Sequence, residues 1–314
     1  MMKVFRSLDS FERGQNATAT IGTFDGVHLG HQKILGRLKK AAREVEGESV
    51  VISFHPHPRL VLQPEDKSLR MLQAIEEKIA ALDAFGIDKL LLIPFTREFA
   101  EQDSQEFISQ ILIQTVGIKR IVIGYDHHFG KNRSGGLKEL QAGAELYGFE
   151  VEEIPAEQID NANVSSTKIR QALISGDIAT ASRFLGYDYG IGGTVVEGEK
   201  LGRTIGYPTA NILPDDPHKL IPGEGVYLAR LWVDGEPHFG MLNIGKKPTV
   251  GDHFPLGIEI HLFNFDQDIY GKSVRVEFLD WIRPDVKFAS LDELVDALHR
   301  DRDASLALIE KRNG

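Results

Sequence analysis

The sequence predicts two folded parts: an α/β domain built on a parallel sheet, then an antiparallel β-barrel followed by a C-terminal helix. Three observations carry this. Apolar strand-like runs alternate with helical runs through the first part of the chain, the pattern of a sheet covered on both faces. Near Tyr189 the rhythm changes to β-rich runs separated by Gly, Pro and Asp. A last amphipathic run opens with Ser290-Leu-Asp-Glu293, the spacing of a capping box.

Taken in order, ATATIG (17–22) reads as a strand and is followed by a helix from Leu29 to Val45. SVVISF (49–54) is a buried-type strand, and AIEEKIAALDAFG (74–86) is a helix with Gly at its end. DKLLLIPF (88–95) and KRIVIG (119–124) are strands, with the helix SQEFISQILIQTVG (104–117) between them. LKELQAGAELYG (137–148) is a helix, FEVEEI (149–154) a strand and STKIRQALISG (166–176) another helix. Beyond Tyr189, IGGTVVEG, GVYLARLWV, PHFGMLNIG, LGIEIHLFNF and SVRVEFLDWI are strand-like, and Asp-Gly inside VDGEP (233–237) marks a hairpin. In the last helix, Leu291, Leu294, Val295 and Leu298 fall on one face, which predicts packing on the barrel. The domains expected are 1–187 and 188–314.

Composition narrows the function. The formal net charge is −10 and both halves are acidic, which disfavours non-specific nucleic-acid binding. No apolar run approaches the ~20 residues of a membrane helix. The N-terminus MMKVFRSLDSF lacks a signal-peptide core, so a cytoplasmic location is expected. The chain has no cysteine, which excludes disulfides, thiolate catalysis and Cys-ligated zinc. Oligomeric state is not readable from the sequence.

The most informative stretch is GTFDGVHLGH (22–31), where the first strand hands over to the first helix. Carboxyl ends of strands gather ligands in open α/β sheets, and the first crossover is a common phosphate site. Gly22 and Gly26 permit a sharp turn, with Phe24 and Asp25 between them, and His28 and His31 share one face of the helix start. Such a pair can hydrogen-bond phosphate oxygens and stabilise a leaving pyrophosphate. No third ligand for zinc is evident. VSSTKIR (164–170) supplies Ser165, Ser166 and Thr167 with Lys168 and Arg170 at a helix start, the chemistry of an anion site. FHPHP (54–58), stiffened by Pro56 and Pro58, presents His55 and His57 after the second strand. GYDHHFG (124–130) follows the fourth, with Asp126 for hydrogen bonding and Phe129 for ring stacking.

In this order, GTFDGVHLGH, SFHPHP, GYDHHFG and VSSTKIR resemble the FAD synthetase half of the bacterial bifunctional riboflavin kinase/FMN adenylyltransferases. The resemblance implies a Rossmann-like nucleotidyltransferase domain that transfers AMP from ATP to FMN, releasing pyrophosphate. It implies that His28, His31, Ser166 and Thr167 hold ATP phosphates, and that Gly22, Phe24, Asp25, Gly26 and Arg170 join the ATP site. Pro56, Pro58, Asp126 and Phe129 would line the flavin. His127 departs from the family pattern, which often has Phe there.

In the second part, GTVVEGEKLGRTIGYPTANI (193–212) carries Gly198, Gly202 and Gly206, which suit a loop folded over a nucleotide. Thr209 and Asn211 lie two apart on one face of an extended segment and offer hard oxygen ligands suited to Mg²⁺. In IEIHLFNF (258–265), Glu259 points away from the apolar row; it is either a solvated sheet residue or a general base for a substrate hydroxyl. These runs, with PGEGVY (222–227), NIGKKPTVG (243–251) and IYGK (269–272), resemble the riboflavin kinase domain, a six-stranded Greek-key barrel. The resemblance implies phosphorylation of riboflavin at its ribityl 5′-hydroxyl by Mg-ATP. Thr209 and Asn211 would meet metal and phosphates, Gly202 would join the ATP loop, Glu259 would be the base, and Arg283 would lie near the flavin. Other readings remain open at this point: one active domain, a flavin-binding protein without turnover, or a cytidylyltransferase.

Overall fold

The computed structural model describes residues 1–156, 164–198, 201–246 and 256–313. The chain forms two compact units, Met1–Leu69 with Ile75–Ser165, and Arg70–Ala74 with Ser166–Gly314.

In the first unit, β1 (Lys3–Phe5), β2 (Thr18–Ile21), β3 (Ser49–His55), β4 (Lys89–Pro94), β5 (Arg120–Gly124) and β6 (Glu150–Ile154) form one sheet in the order β1-β4-β3-β2-β5-β6. All its pairings are parallel. The five expected strands are present, and β1 is an addition. It has three residues, too few to show a period, and it closes the edge beside β4. The strands are apolar throughout because both faces are covered. Val50, Ile52, Leu91, Ile93, Ile121 and Ile123 enter one core with Phe107, Ile108 and Leu140. Their neighbours Val51, Leu90 and Val122 enter the other, with Leu35, Leu38 and Leu82. The first crossover helix is Leu29–Glu44, and Ile75–Phe85 lies on the same face.

The segment expected as one helix over 104–117 has two geometries. Asp103 and Glu106 cap its first turn reciprocally. Phe107–Val116 then winds as a π-helix, and Gly117, at φ 69°, closes it with its N–H on Leu112 O. Several short helices were not foreseen, two of them beside the motifs above and capped by a side chain. Pro58–Leu62 starts on the proline of FHPHP, with the His57 side chain accepting from Arg59 N at 3.2 Å. Ile178–Leu185 is capped by Asp177, whose carboxylate accepts from Thr180 N at 3.0 Å.

In the second unit, β7 (Gly190–Val196), β8 (Ala210–Pro214), β9 (Gly225–Val233), β10 (Glu236–Lys246), β11 (Leu256–Leu262) and β12 (Ser273–Arg283) close into an antiparallel barrel ordered β10-β11-β8-β7-β12-β9. The meander β9-β10-β11 and the return of β12 to the side of β9 make a Greek key. Asp234 and Gly235 both take positive φ, the geometry of the expected Asp-Gly hairpin. The C-terminal helix, Leu291–Asn313, packs on β9, β10 and β12. Of the expected face, Leu294, Val295 and Leu298 are half-buried. Leu291 is 54% exposed, whereas Ala297, Asp301 and Ser305 are buried. Arg283 holds the buried Asp301 through two 2.8 Å hydrogen bonds.

The change of rhythm expected at 187/188 falls between the helix Ile178–Leu185 and β7. The compact units divide earlier, at Ser165/Ser166, and the second unit also takes Arg70–Ala74. That segment is tied by Met71 N to His218 O at 2.7 Å and Leu220 N to Met71 O at 2.9 Å. Arg170 Nε donates to Arg70 O and the buried Lys219 Nζ to Leu72 O, each at 2.7 Å.

Candidate active sites

The first site lies at the carboxyl edge of the parallel sheet. β2 is its switch point: β3 and β4 extend from one side and β5 and β6 from the other. The loops after β2, β3 and β5 therefore converge on one edge, and they are the three loops that carry GTFDGVHLGH, FHPHP and GYDHHFG.

The turn after β2 is held in a costly conformation. Phe24, Gly26 and Val27 have φ of 47°, 87° and 36°. A β-branched residue rarely adopts positive φ, and such strain persists only where the surroundings enforce it. Here Val27 N bonds Phe24 O at 3.2 Å, and the Gln32 side chain donates to Val27 O at 2.9 Å. Phe24, Asp25 and His28 are buried by this turn. His28 is the N-cap of Leu29–Glu44 and its Nδ1 accepts from His31 N at 3.3 Å. The two imidazoles stack with centroids 3.7 Å apart, and the Phe24 ring meets His31 edge-on at 5.2 Å. His31 Nδ1 is enclosed with no hydrogen-bond partner among the described residues. Burial, then the neighbouring His28 and Lys78, hold the His31 imidazole well below its ordinary range.

Lys78 went unnoticed in the sequence. It sits in an ordinary amphipathic run, EEKIAALDAF, yet its side chain is buried. Burial pushes its ammonium down and Asp25 opposes that shift. A cation, a carboxylate and a neutral imidazole thus interact electrostatically in this part of the unit, the composition of an anion-handling site.

The flanking loops divide their side chains. Pro58 begins a helix, while Pro56 and Asp126 are exposed. Phe129, expected to offer its ring to a ligand, is buried in the core against Phe107 at 5.3 Å. Its other neighbour is His127, stacked at 5.9 Å. Burial, then His128 and Arg133, lower the His127 imidazole to about 4. In the second unit, Ser166 opens the helix Ser166–Ile174, Thr167 and Lys168 are exposed, and Arg170 bonds the backbone of Arg70.

The second site lies on the outside of the barrel. Asn211 on β8 is opposite Glu259 on β11, so their side chains share one face. Asn211 is buried, and Thr209 Oγ1 donates to Glu259 Oε2 at 3.4 Å. The preceding loop has no room for a larger residue at Gly202. A Cβ on Gly202 would stand 2.2 Å from Tyr207 O. His261, two residues from Glu259, lies with Nδ1 2.8 Å from Pro208 O and fixes the Pro-Thr segment. Arg283, expected near a flavin, has its guanidinium committed to Asp301 and Pro284 O. The positions 199–200 and 247–251, within two of the motifs above, lie outside the described residues.

The hydroxyl and amide oxygens at Thr209 and Asn211 are hard donors that fit a divalent cation. No cluster of three or more His, Cys, Asp or Glu suited to a metal occurs among the described residues.

Comparison with known proteins decides between the open readings. The FAD synthetase family matches residues 10–168 and the riboflavin kinase family residues 185–309. The chain belongs to the bifunctional riboflavin kinase/FMN adenylyltransferase family. A Haemophilus influenzae member is 39% identical, covering 98% of this chain and 99% of its own. The Listeria monocytogenes member is 35% identical over 94% of this chain and 93% of its own, and the Escherichia coli member 36% over 96% of each. A solved Streptococcus pneumoniae structure, described as a macrolide-efflux protein, has a TM-score of 0.87 at 32% identity, over 97% of this chain and 98% of that one. Among the described residues no helix is long and apolar enough to cross a membrane. The chain is therefore a bifunctional transferase that phosphorylates riboflavin and adenylylates FMN, with ATP as co-substrate of both reactions.

Proposed function

We propose that the two reactions use two separate side-chain sets, within domains 1–187 and 188–314. The observation that carries this is a distinct side-chain set in each unit: the strained Phe24–Val27 turn with stacked His28 and His31 in one, Thr209, Asn211 and Glu259 in the other.

In the adenylyltransferase, an FMN phosphate oxygen attacks the α-phosphorus of ATP and the bond to the β-phosphate oxygen breaks, releasing pyrophosphate. His28 and His31 donate N–H groups to the phosphates, and Lys78 adds positive charge against the leaving group. Gly22, Phe24, Asp25 and Gly26 shape the turn that receives ATP. Family resemblance assigns Ser166, Thr167 and Arg170 to its phosphates, and Pro56, Pro58, Asp126 and Phe129 to the flavin. Phe129 acts there by bracing His127 rather than by direct stacking.

In the kinase, the riboflavin 5′-hydroxyl attacks the γ-phosphorus of ATP and ADP leaves. Glu259 takes the hydroxyl proton. Thr209 and Asn211 would hold Mg²⁺, and Gly202 keeps the loop close above them. The ion, when bound, neutralises phosphate charge. Arg283 acts from a distance, by seating the C-terminal helix. Because both reactions draw on ATP, we place the protein in the cytoplasm. The acidic net charge argues against a nucleic-acid partner.

Purified protein given riboflavin, ATP and Mg²⁺ should yield FMN and then FAD, with ADP and pyrophosphate as respective co-products. His28→Ala/His31→Ala should stop at FMN, with FAD formation down at least ~10²-fold. Glu259→Gln should lower FMN formation by ~10²–10⁴-fold while FMN supplied directly is still converted to FAD. Full activity in either variant would refute the assignment of that site.

A further inference from the structure

We propose that Asn243 is a polyol-binding residue of the kinase site, holding a hydroxyl of the riboflavin side chain beside Glu259. The inference rests on the reading of Glu259 as the base.

The barrel register supplies the geometry. Asn243 on β10 is directly opposite Glu259 on β11, and Glu259 is opposite Asn211 on β8. Opposed residues of an antiparallel pair project from the same face. The intervening Leu242, Ile244, Ile258 and Ile260 are buried in the barrel, so the Asn243–Glu259–Asn211 rung faces outward. The next rung on that face pairs Gly245 with Gly257. It bears no side chains of its own, and both of its glycines are buried. Two groups lean over it: a Cβ on Gly245 would lie 2.9 Å from Asp285 Oδ2 and 3.2 Å from Asn243 Nδ2.

Asn243 Oδ1 is enclosed and has no hydrogen-bond partner among the described residues. A buried amide oxygen is costly to leave unpaired, and an unpaired one in a native fold calls for a ligand or water. Substrate chemistry distinguishes the two ends of the rung. Beside Asn243 stand two carboxylates, Glu259 and Asp285, which repel phosphate and accept from hydroxyls. Beside Asn211 stands Thr209, which bonds Glu259 and offers hard oxygen to a metal. The charge pattern therefore places the neutral polyol on the Asn243 side of Glu259 and the nucleotide phosphates toward Thr209. Asn243 would accept one ribityl hydroxyl at Oδ1 and so fix the distance of the 5′-hydroxyl from Glu259.

The test pairs enzyme variants with riboflavin analogues lacking the 2′-, 3′- or 4′-hydroxyl. Asn243→Ala should raise the riboflavin KM at least about tenfold, with kcat changed less. One deoxy analogue should suffer a similar loss with the unmodified enzyme and little further loss with Asn243→Ala, because the two removals delete one interaction. Asn243→Ser, which keeps a hydrogen-bonding group, should recover part of the KM. Rates are normalised to FMN adenylylation by the same preparation. Equal use of all three analogues by the unmodified enzyme would overturn the proposal even if the variants failed to fold. So would variant constants within twofold of the unmodified enzyme, or deoxy penalties that add in full to that of Asn243→Ala. Full riboflavin phosphorylation by Glu259→Gln would remove the base from the site and this inference with it. Loss in Glu259→Gln together with an unaffected Asn243→Ala would refute the inference alone.

Discussion

At neutral pH the His31 ring carries no charge, because burial, then the neighbouring His28 and Lys78, oppose its protonation. An ATP phosphate arriving beside it reverses the local field and favours the protonated ring. ATP binding near pH 6.5 should therefore take up protons, read as a binding heat that varies with the ionisation enthalpy of the buffer. His31→Ala should lack that component, and an identical buffer dependence in the variant would contradict it. His127 offers a second titration. Its imidazole sits at about 4 when folded, against an ordinary value near 6.5. Between these values the unfolded chain binds a proton that the folded chain refuses, so stability falls as pH drops through this window. Melting of His127→Phe should depend less steeply on pH from about 6.5 to about 4 than melting of the unmodified protein. The histidine pair was legible in the sequence because its spacing and its glycines sit together in one loop. Lys78 and Asn243 were not. Each occupies an ordinary periodic position, and only helix packing or strand register shows what it faces.

Elements were legible where a period had room to repeat. β2 to β6 and most barrel strands are long apolar runs between turn residues. β1, the helix Ile178–Leu185 and the widened turns of Phe107–Val116 were not foreseen. The first is too short, the second follows one loop after another helix, and the third has the same apolar spacing as an α-helix. The C-terminal helix adds a buried charge to an apolar face: Asp301, with a side chain 4% exposed, is bound to Arg283 at 2.8 Å. Arg283→Ala would leave a buried carboxylate unpaired, at a cost of roughly 3–5 kcal/mol. The thermal midpoint of the barrel unit should fall accordingly, and an unchanged midpoint would show that the helix is held by apolar contacts instead.

At the scale of the molecule, the second unit is discontinuous in sequence. It needs Arg70–Ala74, a segment embedded in the first unit's stretch of chain. A fragment of residues 166–314 would leave the Lys219 ammonium, 3% exposed and bonded to Leu72 O, without that acceptor. Such a fragment should retain the barrel but melt below the same unit in the full chain, since a lost hydrogen bond to a charged group costs about 1.5–3 kcal/mol. Equal midpoints would show that the segment adds nothing. The same arrangement sets an order of events at birth. Leu72 and Lys219 are 147 positions apart. At roughly 5–20 residues per second, the ribosome needs about 7–30 s to deliver the partner. Throughout that interval Met71 and Leu72 have neither His218 nor Lys219 to bond, so the barrel's first contribution is synthesised early and stays solvated until the last of its partners emerges.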